Sequence, residues 1–233
     1  MTAETTCTII SPMTFTTIFF DLDDTLYSAS LGLWEAIRIR MNDYMRKLFD
    51  LPDEALTAMR QHYFMTYGTT LRGLQMNHQV DTEEFLRYVH DLPLNDYLKP
   101  DPQLRSLLLS LPQKRYIFTN SDVNHARRVM NVLGVSDCFE GIIDIHSIEF
   151  YSKPNIEAYQ HALRIAGESE PGRCVYLDDS ERNLLPATRL GIYTVLVGEA
   201  QDEEASCLHI PSILDLPQAM PGLWNHRQKA EAI

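Results

Sequence analysis

A chain of 233 residues, 45% hydrophobic and 22% charged, can build a sizeable core and is not charged enough for global disorder; its length suits one large domain with a smaller insert. A formal net charge of −12 and a pI of about 5.0 argue against nonspecific nucleic-acid binding, which needs a basic surface. They do not exclude an anionic substrate, because a bound cation can reverse the field locally.

Cys7, Cys138, Cys174 and Cys207 form no CxxC pair, and no His stands at a zinc-finger offset, which predicts reduced thiols in a cytoplasmic protein. MTAETTCTII carries no basic segment and no long apolar run, so no secretory signal is expected. No uncharged stretch approaches the roughly 18 residues of a membrane helix.

Residues 16–20 (TTIFF) predict a short buried strand. The period then changes: Leu33, Ile37, Met41, Tyr44 and Leu48 recur at spacings of three and four, as on one face of a helix, and Leu56, Met59 and Tyr63 continue it. Asp81 and Glu84 stand at capping-box spacing. Residues 29–97 therefore predict an all-helical segment, broken at Pro52 and in the Gly68–Gly73 region.

After LKPDP the pattern alternates. Asp101 and Pro102 start a helix carrying Leu104, Leu107, Leu108 and Leu111. KRYIFTN (114–120) predicts a strand, NHARRVMNVLG (124–134) a helix closed by Gly134, and GIIDI (141–145) a strand. PNIEAYQHALRIAG (154–167) predicts a helix, RCVYLDD (173–179) a strand, NLLPATRLG (183–191) a helix and IYTVLVG (192–198) a strand. Pro186 places the start of the last helix near Asn183. The acidic, then apolar tail after Leu196 predicts one more short strand or turn, and NHRQKAEAI a frayed end.

Strands separated by helices of about ten to fifteen residues imply right-handed crossovers and a parallel sheet. The expected architecture is α/β: a doubly wound, Rossmann-like core, 1–28 with 98–233, and an inserted α-helical cap, 29–97.

In FFDLDDTLY three carboxylates occupy four positions at the end of a buried strand. Ligands of open parallel sheets bind outside the carboxyl ends of the strands. Those ends deliver Asp21 and Asp23, then Thr119, Asn120 and Ser121, then Ser152 and Lys153 from a loop, then Asp178 and Asp179. Such crowding is costly unless something offsets it. Mg²⁺ does so with oxygen ligands and keeps positions for water and phosphate. Asp21 and Asp179 are its expected ligands, and the metal would admit a phosphate that the carboxylates alone repel.

In this order the motifs resemble the haloacid dehalogenase superfamily. FDLDDTL resembles its DxDxT motif, TNS (119–121) its second motif, SKP (152–154) its third and YLDDSERN its fourth, with the helical insert where that superfamily places its cap. YGTTLRGL (67–74), followed by DTEEFLRYVHD and LKPD, resembles the pyrimidine 5′-nucleotidase branch, which also includes broader phosphatases.

The resemblance implies roles. Asp21 would be the nucleophile that forms an aspartyl-phosphate. Asp23, on the same side two residues on, would be the general acid/base, and its carbonyl a further metal ligand. Dehalogenating members lack a carboxylate at Asp23. Thr25 either orients Asp23 or is a simple turn hydroxyl. Asp24 points the other way and is structural.

Thr119, Asn120 and Ser121 would bind phosphate oxygens, against a bare helix-capping role for Ser121 or Asp122. Lys153 would stabilise the nucleophile and the transferring phosphoryl group. Asp179 would ligate the metal directly and Asp178 through water. Asn183 either holds a metal-bound water or caps a helix.

In the cap, Thr70, Leu71 and Arg72 could touch the leaving group or form an ordinary helix turn. Tyr63, Phe64 and Tyr67 could stack on a base or sit in the core. His78, His90 and His161 have no assigned role.

The implied activity is that of a Mg²⁺-dependent phosphomonoesterase on a small phosphate ester, a nucleoside 5′-monophosphate such as UMP or CMP. The protein would work as a monomer or homodimer, without nucleic acid or membrane. The alternatives are a broad-specificity phosphatase, a phosphomutase, a 2-haloacid dehalogenase and a binding protein on a retired enzyme fold.

Overall fold

The computed structural model describes residues 14–199 and 207–224. Among them, six parallel strands form one sheet: β1 (Thr17–Phe20), β2 (Lys114–Phe118), β3 (Gly141–Ile143), β4 (Cys174–Asp178), β5 (Tyr193–Val197) and β6 (Leu208–Ile210). Their spatial order is β3-β2-β1-β4-β5-β6. All four residues of β1 are buried, as expected of a central strand covered by helices on both faces. The chain builds outward from β1 through β2 and β3, then returns to its other side for β4, β5 and β6. That reversal opens a crevice at the carboxyl ends of β1, β2 and β4.

The register sets what faces the crevice. Phe20 is level with Ile117 of β2 and Leu177 of β4. Asp21 follows immediately, and its N–H donates to the Leu177 carbonyl at 2.8 Å.

After β1 the chain forms a helical insert of four α-helices before it returns to the sheet side: α1 (Leu33–Leu48), α2 (Asp53–Tyr67), α3 (Thr70–Asn77) and α4 (Thr82–His90). Tyr44 of α1 meets Phe85 of α4 edge to face at 5.1 Å. The Asp81 side chain caps α4 by accepting from the Glu84 N–H at 2.9 Å.

Of the Gly68–Gly73 break, only Gly68 interrupts the chain, at φ +91°. Gly73 lies inside α3, where an added Cβ would sit 2.3 Å from Cβ and Cγ of Tyr63. Close approach of two helices, not a chain break, requires that glycine.

The remaining helices are α5 (Pro102–Ser110), α6 (Val123–Leu133), α7 (Ile156–Ala166), α8 (Glu181–Arg189) and the short α9 (Leu216–Ala219). The Asp101 and Asp122 side chains cap α5 and α6, and Gly134 and Gly167 end α6 and α7 at φ +75° and +70°. The helix expected from Asn183 begins two residues earlier, at Glu181, with Pro186 inside it. The proline removes one bond to the preceding turn without ending the helix. The strands end earlier than expected because their last residues leave the ladder to build the crevice: Thr119, Asn120 and Asp179 lie just beyond β2 and β4.

Cys138 and Cys174 are buried free thiols and Cys207 is a half-buried one. Among the described residues, no helix is long and apolar enough to cross a membrane. Cys7 and the readings made on 1–13 and 225–233, the absent signal and the frayed end, lie outside the described residues.

Candidate active site

Lys153 occupies the centre of the crevice with 1% of its side chain exposed. Its Nζ donates to Asp21 Oδ1 at 2.6 Å, to the Phe118 carbonyl at 2.8 Å, to Tyr176 Oη at 2.8 Å and to Asp178 Oδ2 at 3.0 Å. Burial alone would lower its pKa, but Asp178 and Asp21 outweigh that and raise it, so the ammonium is retained. Asn120 braces the loop that carries it: its Oδ1 accepts from the Lys153 N–H at 2.8 Å and its Nδ2 donates to the Lys153 carbonyl at 3.1 Å.

The two acids at the end of β4 are in unlike environments. Asp178 is fully buried and satisfied: Tyr176 Oη, the Ser180 N–H and Asn183 Nδ2 all donate to it besides Lys153. Tyr176 reaches it because residues two apart on a strand share a face. Asp179 makes no hydrogen bond among the described residues. Burial, with Asp178, Asp21 and Asp24 close by, pushes its pKa up to about 9. Oxygens of Asp21, Asp178 and Asp179 lie within 4.8 Å of one another.

Asp21, 8% exposed, is pushed up to about 7, first by burial and then by Asp178 and Asp23, with Lys153 opposing.

Asp23 faces a different set of groups. Tyr27 Oη donates to its Oδ1 at 2.6 Å, His125 Nε2 bonds the same oxygen at 2.9 Å, and Ser121 Oγ donates to Oδ2 at 3.0 Å. Burial pushes this carboxyl up, but His125 and Tyr27 outweigh it and hold it well below the ordinary range. Two carboxylates of one short segment thus have pKa values pushed in opposite directions.

The structure brings together Asp21, Asp23, Asn120, Ser121, Lys153, Asp178 and Asp179, with some contacts other than those expected. Thr25 does not orient Asp23: its Oγ1 is buried without a partner, and Tyr27, His125 and Ser121 take that place. Ser121 spends its hydroxyl on Asp23, and Asn120 its amide on Lys153. Thr119 Oγ1 accepts from the Ser121 N–H at 3.0 Å, which shapes the turn. The side chain that caps α6 is Asp122. Asp24 adopts φ +60°, and its Oδ1 is buried without a partner.

The helical insert approaches from two sides. Gly68 sits over the Lys153 loop, where an added Cβ would lie 2.7 Å from Ser152 Oγ and 3.0 Å from the Lys153 carbonyl. Arg182 of α8 donates to the carbonyls of Phe64 and Met65 at 2.9 and 3.0 Å and lies over the Phe64 ring. A cation at the carbonyl end of α2 is favourably placed. Thr70 is buried, and Arg72 donates to Gln75 Oε1 at 3.3 Å, within the insert. Tyr63 is buried, with its hydroxyl 2.7 Å from His78 Nε2.

Four site residues carry no sequence expectation: Tyr27, His125, Tyr176 and Arg182. Tyr176 was open to period-two reasoning, two residues before Asp178. His125 lies in the first turn of α6, and Ser121 lies in the turn just before its cap, Asp122.

A model of haloacid dehalogenase-like hydrolases matches residues 15–191. Phosphate metabolism protein 8 of Saccharomyces cerevisiae is 32% identical over 192 residues, which cover 76% of this chain and 60% of that protein. The chain therefore spans less than two thirds of that relative. The Bacillus subtilis hydrolase YfnB, solved bound to magnesium, superposes with a TM-score of 0.62 at 15% identity, over 89% of this chain and 99% of its own. L-2-haloacid dehalogenase from Xanthobacter autotrophicus superposes with a TM-score of 0.60 at 16% identity, over the same shares. At such identities the two structures speak for the fold alone.

Proposed function

We propose, on the premise that the chain belongs to the haloacid dehalogenase-like hydrolase family, that it is a Mg²⁺-dependent phosphomonoesterase whose substrate is a pyrimidine nucleoside 5′-monophosphate. The observation that carries the phosphatase reading is the division of labour between Asp21 and Asp23. Asp21 is held by Lys153 beside two further acids, and Asp23 by Tyr27, Ser121 and His125 on the other side. A pair of carboxyls with environments this different suits one nucleophile and one proton-transfer group.

Asp21 attacks phosphorus in line and forms an aspartyl-phosphate. Asp23 must take up a proton when the negatively charged phosphate binds beside it; it gives that proton to the departing alkoxide and then takes one from the water that attacks the aspartyl-phosphate. Lys153 holds Asp21 in place and offsets negative charge on the transferring group. The insert, seated through Gly68 on the Lys153 loop and held by Arg182, keeps bulk water out.

The acids fit a hard dication. Three carboxylates converge, and one of them, Asp179, has no hydrogen bond among the described residues to stabilise its charge. Asp21, Asp179 and the main-chain carbonyl of Asp23 would hold Mg²⁺, with Asp178 reaching it through water. When bound, the ion supplies charge neutralisation for the phosphate that the acids alone repel.

This metal site has a consequence for stability. Asp21 and Asp179 have folded pKa values of about 7 and about 9, raised from 3.8. Their contribution to metal-free stability is full below pH ~3.8 and is lost as pH rises through 7 and 9. Mg²⁺ competes with protons for the same oxygens. The rise in Tm on adding Mg²⁺ is therefore expected to grow from pH 5 to pH 9 in scanning calorimetry against EDTA controls. A Mg²⁺ increment independent of pH would remove the site.

The pyrimidine assignment is supported by the resemblance of YGTTLRGL and its following segments. A broad-specificity phosphatase is favoured by one observation: Tyr63 and Arg72, candidates for base recognition, are engaged within the insert. A panel of phosphate esters with Mg²⁺ separates the two. UMP and CMP are expected to exceed AMP, GMP and sugar phosphates in kcat/KM by about 10-fold or more. Equal rates across the panel establish the broad reading. A need for a bisphosphate activator without phosphate release indicates a mutase, and metal-free chloride release from a 2-haloacid a dehalogenase.

A further inference from the structure

Asp23 bonds a residue of α6 whose ring stacks on a residue of the insert. His125, in the first turn of α6, is 1% exposed and presents Nε2 to Asp23 Oδ1 at 2.9 Å. Its ring stacks on His90, the last residue of α4, with centroids 4.2 Å apart and planes at 19°. His90 is fixed in turn by Nδ1, 2.7 Å from Asp122 Oδ2, and its carbonyl accepts from Arg128 at 2.7 Å. A cavity of about 490 Å³ lies beyond, lined by both histidines and not by Asp23. The pair therefore closes off Asp23 on that side.

We propose that His125 is the positioning residue of the proton-transferring carboxylate, and that His90 of the helical insert seats it. The inference rests on Asp23 being the acid/base of a phosphomonoesterase. Once its proton has gone to the alkoxide, Asp23 can only accept, so in that form Nε2 of His125 carries a proton and donates to Oδ1. Its Nδ1 is buried without a partner. Stacked rings do not place the nitrogen of one on the N–H of the other. No hydrogen-bonded path runs from Asp23 through His125 to His90, so the pair orients and does not relay protons. Without the His125 donor, Asp23 keeps one donor on each oxygen, Tyr27 and Ser121, and gains freedom to turn about its Cβ–Cγ bond. A misplaced acid costs most where the leaving group most needs a proton.

The test uses the leaving group. kcat/KM reports the first chemical step, in which Asp23 protonates an alkoxide but has little to do for 4-nitrophenolate. His125→Gln places an amide N–H near the Nε2 position and His125→Asn near Nδ1. His125→Gln is expected to stay within about threefold of wild type on both 4-nitrophenyl phosphate and the most active alkyl phosphate of the panel. His125→Asn is expected to lose about 30-fold on the alkyl ester and under about threefold on the aryl ester. His90→Leu, which leaves the His125–Asp23 bond in place and removes the stack together with the bond to Asp122, is expected to lose about fivefold on the alkyl ester alone.

The tautomer provides a readout independent of turnover. Long-range ¹H–¹⁵N spectra of the full chain should show His125 protonated at Nε2. Equal losses on both esters in His125→Asn, no loss on either, or an Nδ1–H tautomer would each overturn the proposal. Should His125→Asn not fold, His90→Leu and the tautomer decide it. A wild-type protein inactive on every ester would instead remove the phosphomonoesterase reading beneath it.

Discussion

Replacing Asp21 by Asn is expected to reduce turnover of every accepted ester by about 10⁴-fold or more, because an amide oxygen cannot form the covalent phosphoryl intermediate. The loss would not come from unfolding. Asp21 is buried, with its pKa pushed up to about 7 by burial and by Asp178 and Asp23 against the pull of Lys153. An ionised Asp21 is thus a strained part of the metal-free fold. Asn fills the same space, can still accept from Lys153 and carries no charge. The metal-free variant is therefore expected to melt at or above the wild-type temperature at pH 8, the usual conflict between an active-site charge and stability. Steady-state assays and a melting curve on the same preparation check both halves. Acid-quenched wild type should carry a phosphoryl group that the variant lacks. Turnover above about 1% of wild type would leave Asp21 without its nucleophilic role.

Lys153→Met should damage both activity and stability. Methionine keeps most of the buried stem and deletes the cation, leaving Asp21 and Asp178 facing each other in the interior. Breaking a buried ion pair from one side costs about 3–5 kcal/mol, since the abandoned charge remains desolvated. Here Lys153 serves two carboxylates and also the Phe118 carbonyl and Tyr176 hydroxyl. Urea unfolding at pH 8 without metal is expected to show a loss of that size, and kcat/KM to fall about 10³-fold. The sign with pH follows from the acids. Without Lys153 the folded pKa of Asp21 rises further, so protonation relieves the conflict and the stability loss shrinks toward pH 5. Saturating Mg²⁺ should restore part of the stability and little of the rate. A variant as stable as wild type at pH 8 would show that Lys153 does not hold the acids together.

Local patterns carried much of this molecule. The period of three and four through Leu33–Leu48 is α1 itself, Asp101–Pro102 opens α5, and Gly134 and Gly167 close α6 and α7. Those signals work because they reside in neighbouring residues: a cap, a proline ring or a left-handed glycine acts within one turn. They mislead where a distant contact sets the requirement. Gly73 reads as a break and is a contact with Tyr63, and Pro186 reads as a helix start and lies inside α8.

The sequence by itself determined that acids, a lysine, hydroxyls and amides fall at the ends of alternating strands, and alternation with helices makes a sheet parallel and places those ends together. Which donor meets which acid was decided only by the tertiary structure. Thr25, two residues from Asp23, makes no bond to it, whereas Ser121 and His125, about a hundred residues away, do. Asp178 and Asp179 are adjacent in the chain, yet among the described residues one accepts several hydrogen bonds and the other none. Hydrogen bonds act over about 3 Å, and pKa values follow burial. Both depend on how strands register and helices seat, which no short stretch of sequence encodes.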